Sequence, residues 1–148
     1  MIMREIKCRG FNAKNKQWIY GFYLQNRGQS FVCPDEPAHD KSWEDYEVKE
    51  GSVGQFTGIK DEMGREIYEG DVIKIDGCPE LGNLVVVFYE AAFALATPKE
   101  YLLLQHGEHP FLNDYGRLAS LGDYDYRGLH RVIGNVIENP ELYKYESV

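Results

Sequence analysis

The chain has 148 residues, of which 43% are hydrophobic and 14% aromatic, and its formal net charge is −8. This share of apolar side chains excludes intrinsic disorder, and a chain of this length buries enough surface to fold without a disulfide or a structural metal. The negative charge disfavours binding to a nucleic-acid backbone or to an anionic membrane, because both surfaces attract lysine and arginine.

The spacing of the cysteines and the length of the apolar runs predict a reduced, cytoplasmic protein. Cys8, Cys33 and Cys78 are odd in number and far apart, whereas a disulfide framework or a zinc site needs closer, paired spacing. The first residues lack the apolar run of a signal peptide, and no stretch approaches the roughly 20 apolar residues of a membrane helix. We therefore expect no disulfide, no cofactor and no membrane contact.

The N-terminal part of the chain alternates at the period of a β-strand. Strands are expected, with polar turns between them, at residues 6–11, 18–24 and 30–33. On the second strand Trp18 and Tyr20 fall on one face and Tyr23 on the opposite face, because successive side chains of a strand point to opposite sides. Only one of these sets can therefore face a core.

The alternation fades between residues 34 and 51, where prolines and acidic residues predict an exposed loop or a short helical turn. This segment is the predicted boundary between two parts of the chain. The first part, residues 1–50, is an N-terminal β unit that ends in the exposed loop. The second part, residues 51–148, contains the remaining strands.

Turn signals in the second part separate several short apolar runs. Strands are expected at residues 52–59, 72–75, 84–89, 93–97 and 131–138. Residues 101–105 fit either a strand or one helical turn, and residues 114–121 fit a short helix. Asn139 and Pro140 have the pattern of a helix start.

Short strands at regular spacing, with one late final strand, predict a small barrel of five strands from about residue 52 to residue 137. Closing the sheet into a barrel removes its unpaired edges. The predicted fold class is therefore mainly β, with an SH3-like small barrel, an additional N-terminal β-hairpin unit and little helix.

Three separate stretches of the chain carry a family resemblance. They are residues 3–7 with 18–21 (MREIK and WIYG), residues 53–73 (VGQFTGIKDEMGREIYEGDVI) and residues 132–142 (VIGNVIENPEL). In sequence and spacing these stretches resemble the YopX-like family of bacteriophage and prophage proteins, and residues 77–129 match it only loosely. The resemblance implies a mainly β protein of viral origin that works in the cytoplasm of a bacterial host cell. It implies no reaction.

Two clusters of polar residues are candidate sites of chemistry. His106 and His109, with Asp114 nearby, are residue types that bind zinc, but two solvated loop histidines explain the pattern without a third ligand in register. Asp123 and Asp125 are a carboxylate pair of the kind used in hydrolysis, but a solvated turn explains them without any reaction. The chain has no serine nucleophile elbow, no phosphate-binding loop and no dinucleotide fingerprint. We therefore expect a protein that is not an enzyme and that holds no metal.

The function favoured by the sequence is binding to a protein partner, either another protein or further copies of the chain. Tyrosine and tryptophan are abundant, and both residues are favoured at interfaces. The candidate patch consists either of Trp18, Tyr20 and Tyr23 on the second strand or of Trp43 and Tyr46 in the loop that follows. Burial of all these rings in a core is the competing explanation.

The alternative function is that of a nucleic-acid-binding SH3-like barrel protein. Basic residues interleave with aromatic ones, a combination that binds single-stranded nucleic acid by charge and stacking. The basic residues are Lys7, Arg9, Lys14, Lys16, Lys60, Arg65 and Lys74, and the aromatic ones are Phe11, Trp18 and Tyr20. Neighbouring acidic residues and the net charge of −8 count against this alternative.

Overall fold

The computed structural model describes residues 5–110, 119–120 and 129–144. The chain forms two compact units, Met1–Gly58 and Ile59–Val148. The strands form two antiparallel sheets, so the prediction of a mainly β protein is confirmed. The division into residues 1–50 and 51–148 stays a prediction.

The first unit is a sheet with a short 3-10 helix inserted between two strands. Its strands, in chain order, are β1 (Cys8–Asn12), β2 (Gln17–Asn26), β3 (Gln29–Cys33), β4 (Glu47–Val48) and β5 (Gly54–Lys60), and β5 runs past the unit boundary. The sheet order is β4-β3-β2-β1-β5, and β6 (Glu66–Tyr68), the hairpin partner of β5, is its last strand. Of the two alternatives for residues 34–51, an exposed loop or a short helical turn, the 3-10 helix Trp43–Tyr46 is the second.

Strand β2 changes its partner halfway along its length. Residues 17–21 pair with β1, and residues 22–26 pair with β3. Gly21 lies at the changeover, where a Cβ atom would overlap the carbonyl oxygen of Cys33, so this position requires glycine. Arg27 and Gly28 both adopt left-handed backbone angles in the tight turn to β3, as a two-residue type I′ hairpin requires. The second half of β2 thus belongs to a ribbon with β3 rather than to the β1 hairpin.

The second unit contains a sheet whose described strands are in the order β10-β9-β8-β7-β11. They are β7 (Asp71–Ile75), β8 (Leu84–Tyr89), β9 (Ala92–Ala96), β10 (Ala119–Ser120) and β11 (His130–Asn135). Strand β8 is buried on both faces: Leu84 and Val86 belong to one hydrophobic cluster, and Val85 and Val87 belong to another. Burial on both faces explains why its sequence is a continuous apolar run rather than an alternating one.

The closed SH3-like barrel is not confirmed. Within the described residues β10 and β11 form opposite edges of the sheet and do not pair with each other, so the sheet is open. The last strand nevertheless lies beside the first strand of this sheet, since Val132 pairs with Ile73 and His130 pairs with Ile75.

One of the ambiguous segments is a helix. Helix α1 (Pro98–Gln105) replaces the strand that was an alternative for residues 101–105. Thr97 Oγ1 accepts a hydrogen bond from the amide of Glu100, and the Glu100 carboxylate accepts one from the amide of Thr97, which is a capping box. The helix expected over residues 114–121 is wrong at Ala119 and Ser120, which pair with β9, and its other residues lie outside the described part of the chain. The expected helix start at residues 139–140 is confirmed by a 3-10 helix, Pro140–Leu142.

Candidate functional site

The ribbon of β2 and β3 presents large apolar side chains to solvent. Phe22 is 51% exposed and Leu24 is 39% exposed, and both point to the same side of β2. The register places Leu24 opposite Phe31 and Phe22 opposite Cys33. These directly paired side chains therefore form one continuous apolar surface across the two strands.

The 3-10 helix extends this surface. The indole of Trp43 packs edge-on against the ring of Phe31, with 6.0 Å between the ring centroids, and remains 57% exposed. Phe31 itself is buried. We refer to Phe22, Leu24, Phe31 and Trp43 together as the aromatic face.

A cleft lies next to the aromatic face and shares Trp43 with it. Its volume is about 580 Å³, and its lining residues are Cys33, Pro37, Ala38, His39, Lys41, Ser42, Trp43 and Tyr46. The hydroxyl of Tyr46 accepts a hydrogen bond of 3.1 Å from the amide of Ala38, which holds the preceding loop against the ring. We call this feature the Trp43 cleft.

The segment of the chain that forms most of the cleft is strongly acidic. Residues 35–50 contain seven carboxylates and two lysines. Asp45 is fixed in place because its carboxylate accepts hydrogen bonds from the amide and the hydroxyl of Ser42, at 2.8 and 3.3 Å. The hydrogen bond from the backbone amide of Ser42 lowers the pKa of Asp45 below its ordinary value, and the nearby charge of Lys41 acts in the same direction. Asp45 therefore stays ionised, and it partly offsets the charge of Lys41.

The structure separates the aromatic residues that were predicted as a site. Trp18 is half-buried, with the guanidinium of Arg9 stacked 4.3 Å from its ring centroid and the ring of Phe11 at 5.2 Å. Tyr20 is exposed on the same face of β2 as Trp18, whereas Tyr23 is exposed on the opposite face, with its hydroxyl 3.3 Å from Ser30 Oγ. These three residues do not form a single patch.

Trp43 and Tyr46, the other predicted pair, do lie together, because both line the Trp43 cleft. Sequence reasoning did not include Phe22, Leu24 or Phe31 in the site. The signal for two of them was present, since Phe22 and Leu24 continue the alternation that begins at Trp18. Their exposure could not be predicted from the sequence, because the alternation does not show which strand pairs with each half of β2.

The pattern of basic residues near aromatic ones has a local explanation in the first unit. Arg9 is buried and stacks on Trp18, and the ammonium of Lys7 lies 5.0 Å from the ring centroid of Phe56 and 3.0 Å from a carboxylate oxygen of Glu5. One face of the Trp18 ring is thus already covered by a cation. This arrangement leaves that face unable to stack on a nucleobase.

The histidines considered as zinc ligands are both exposed. Nδ1 of His106 lies 2.8 Å from the carbonyl oxygen of Leu102, and the ring of His109 lies 6.3 Å from that of Tyr89. Within residues 5–110, 119–120 and 129–144, no three or more metal-ligating side chains are grouped together. Asp114, Asp123 and Asp125 lie outside the described residues.

The stretch at residues 53–73 centres on a buried carboxylate that serves the fold. Oδ1 of Asp61 accepts hydrogen bonds from the amides of Met63 and Arg65, both at 2.9 Å, and Oδ2 accepts one from the amide of Val132 at 3.0 Å. Burial alone would raise the pKa of Asp61. The hydrogen bonds from the three backbone amides and the charge of Arg65 outweigh this effect and lower the pKa. Asp61 thereby ties the loop between β5 and β6 to strand β11.

The stretch at residues 132–142 is likewise structural. Oδ1 of Asn135 accepts hydrogen bonds from the amides of Ile137 and Glu138, and Oδ1 of Asn139 accepts one from the amide of Asn135. A Cβ atom on Gly134 would lie 2.5 Å from Oδ1 of Asn139. The motif therefore builds the turn that ends β11, and it does not coincide with the aromatic face.

Together these features define a mainly β protein of two sheets, with an exposed aromatic face and signature residues that serve its turns. Among the described helices, none has the length and apolar character that crossing a membrane requires. The family model for the YopX protein matches residues 7–144. The chain therefore belongs to the YopX family, as the three sequence stretches indicated. No curated protein matches the chain.

Proposed function

We propose that this chain is a non-enzymatic protein of bacteriophage or prophage origin that acts in the bacterial cytoplasm by binding another protein. The observation that carries the proposal is the aromatic face, where Phe22, Leu24 and Trp43 remain exposed beside the buried ring of Phe31. Scattered apolar side chains are normal on a protein surface, whereas a connected group of large ones marks an interaction site.

The side chains of the aromatic face differ from scattered exposed apolar residues because they lie next to one another. Leu24 and Phe31 are direct cross-strand partners, and Phe31 contacts Trp43 edge-on. Tryptophan and other aromatic side chains supply much of the binding energy at protein interfaces, because they bury large areas at a small cost in conformational entropy. The hydrogen-bonded register of β2 and β3 places three members of the face, Phe22, Leu24 and Phe31, on neighbouring strands.

The SH3-like architecture of the second unit belongs to the same proposal. It is supported by the antiparallel order β10-β9-β8-β7-β11, in which the final strand returns to lie beside β7. Nuclear Overhauser contacts between backbone protons of β10 and β11 would establish a closed barrel. Solvent exchange of the outer amides of both strands at the rate of an open edge would argue against it.

The proposed function is tested by capturing partners from prophage-bearing bacterial cells with the wild-type chain and with a Phe22→Ser, Leu24→Ser double variant. We expect at least one protein to be captured by the wild type and lost with the variant, because two exposed apolar side chains would no longer contribute buried area. Met63→Ser is the matched control, since Met63 is 72% exposed on the β5–β6 loop and lies outside the aromatic face.

Two further measurements distinguish binding to another protein from self-association and from nucleic-acid binding. Light scattering over a range of concentrations reports self-association through the same face. Fluorescence polarisation with single- and double-stranded oligonucleotides at two salt concentrations tests the nucleic-acid alternative, which predicts affinity that falls steeply with salt. Capture of the same proteins by the double variant and the wild type would refute the assignment of the face.

A further inference from the structure

We infer that the Trp43 cleft binds an extended, basic segment of the partner protein, in which arginine or lysine stands next to apolar side chains. This inference rests on the proposed function and adds the chemistry of the partner. It is carried by two features of one segment: an apolar cleft with an exposed indole, and a net charge of −5 on residues 35–50, which supply seven of the eight lining residues.

The size and walls of the cleft suit a short peptide segment. A volume of about 580 Å³ holds a few side chains rather than a whole secondary-structure element. Pro37, Ala38, Trp43 and Tyr46 supply apolar walls. Because the aromatic face adjoins the cleft at Trp43, a segment that enters the cleft can continue across Leu24 of the ribbon.

The charge around the cleft favours a cation. Asp35, Glu36, Asp40 and Glu44 are exposed, and within the described part of the chain none of them forms an ion pair. Lys41 is the one lysine or arginine among the residues that line the cleft in the described chain, and Asp45 partly offsets its charge. Residues 35–50 thus hold five of the eight net negative charges of the chain. Such a concentration of one sign raises the local concentration of oppositely charged segments and speeds their association.

Trp43 gives the cation a specific contact. An arginine or lysine placed over an exposed indole gains a cation–π interaction, and tryptophan is the strongest aromatic partner for it. The carboxylates alone would attract any cation, whereas the indole and the apolar walls select a cation carried by a polypeptide with neighbouring apolar side chains. The same contact already occurs in this unit, where Arg9 lies 4.3 Å from the ring centroid of Trp18.

A second copy of the chain is a poor occupant of this cleft. Two copies that met here would bring two segments with a net charge of −5 each into contact, and like charges across an interface disfavour association. An acidic or phosphorylated segment meets the same repulsion.

The inference is tested with a display library of random octapeptides selected on the full-length wild-type chain, with removal of peptides that also bind a Trp43→Ala variant. We expect the remaining peptides to be enriched in arginine or lysine beside apolar residues. The peptide recovered most often is then synthesised with a fluorescent label, together with versions in which each basic residue is replaced by glutamine or by glutamate.

Fluorescence polarisation of these peptides gives the decisive comparison. For the basic peptide we expect Trp43→Ala to weaken binding about tenfold and Trp43→Phe to weaken it less, since phenylalanine keeps the apolar contact but is a poorer cation–π partner. An Asp40→Asn, Glu44→Gln double variant should bind several times more weakly and show a smaller loss of affinity with salt. Phe88→Ala is the matched control, because Phe88 is 55% exposed on β8 of the second unit.

The possible outcomes are distinct. Selected peptides that are neutral or acidic, or equal binding of the basic and glutamine versions, would overturn the basic-segment inference and leave the proposed function standing. Recovery of no peptide that depends on Trp43 would also overturn it, as would a dimer that Trp43→Ala dissociates. The proposed function fails separately, if variants of Phe22 and Leu24 capture the same proteins as the wild type.

Discussion

Replacement of Asp61 by alanine tests whether the family signature is structural. The substitution removes an acceptor of three backbone hydrogen bonds, from Met63, Arg65 and Val132, at a side chain that is 6% exposed. A hydrogen bond to a charged group contributes about 1.5–3 kcal/mol, and water can replace part of this at the two exposed loop amides. We therefore expect the free energy of unfolding to fall by about 2–4 kcal/mol.

The conservative substitution Asp61→Asn should cost less, about 1–2 kcal/mol, because one oxygen can still accept the two loop amides while the bond to Val132 is lost. Asp76→Ala is the matched control. Its carboxylate forms a partly exposed ion pair with Arg131 at 3.2 Å, and such pairs contribute less than about 1 kcal/mol.

Urea unfolding followed by far-UV circular dichroism measures these differences. Tryptophan fluorescence is unsuitable, because both tryptophans, Trp18 and Trp43, belong to the first unit and Asp61 to the second. The lowered pKa of Asp61 means that its stabilising contribution is present above its unfolded value of 3.8 and is lost as the pH falls through the folded value. Equal stability losses for Asp61→Ala and Asp76→Ala would refute the structural role of Asp61.

Three further predictions concern the second unit. Gly134→Ala should lower the free energy of unfolding by about 1–3 kcal/mol in the same urea assay, because the new methyl group displaces Asn139, and an unchanged midpoint would contradict this. Ala91→Gly should raise the melting temperature, because Ala91 has a left-handed φ of 65° and this conformation costs a non-glycine residue about 1–2 kcal/mol. A lower melting temperature would show that the turn is unstrained. Burial lowers the pKa of His130 below its ordinary value of 6.5, so the unfolded chain takes up a proton first and stability should fall as the pH drops below 6.5. His130→Leu should flatten that pH dependence in calorimetry, and an unchanged slope below pH 6.5 would exclude His130 as its cause.

Local sequence signals predicted β7, β8, β9 and β11 with bounds within three residues of those observed, but they did not predict β6, and they placed a helix where β10 lies. The run at residues 84–89 was expected as a strand and is β8 (Leu84–Tyr89), because β-branched and aromatic side chains buried on both faces leave no alternative element of that length. The signal for α1 was also local, since Thr97, Pro98 and Glu100 form a capping box with proline at the first helical position. Pro98 is compatible both with the end of a strand and with the first residue of a helix, so the predicted strand ended there and no helix was predicted to begin.

The candidate site was only partly predictable from the sequence. Trp43 and Tyr46 were predicted from their residue type and their position in a polar loop, and both line one cleft. Trp18 and Tyr23 were predicted from the same composition, but Trp18 is half-buried under Arg9 and Tyr23 faces the other side of β2. Whether these residues bind a partner stays a prediction.

The sequence alone determined the positions of most strands and turns and the membership of the YopX family, because these depend on residue type and spacing along the chain. Only the tertiary structure decided which aromatic side chains remain exposed. Strand β2 pairs with β1 along its first half and with β3 along its second half, and the change at Gly21 leaves Phe22 and Leu24 on the exposed ribbon. Alternation assigns side chains to the two faces of a strand, but exposure depends on which distant segments cover each face.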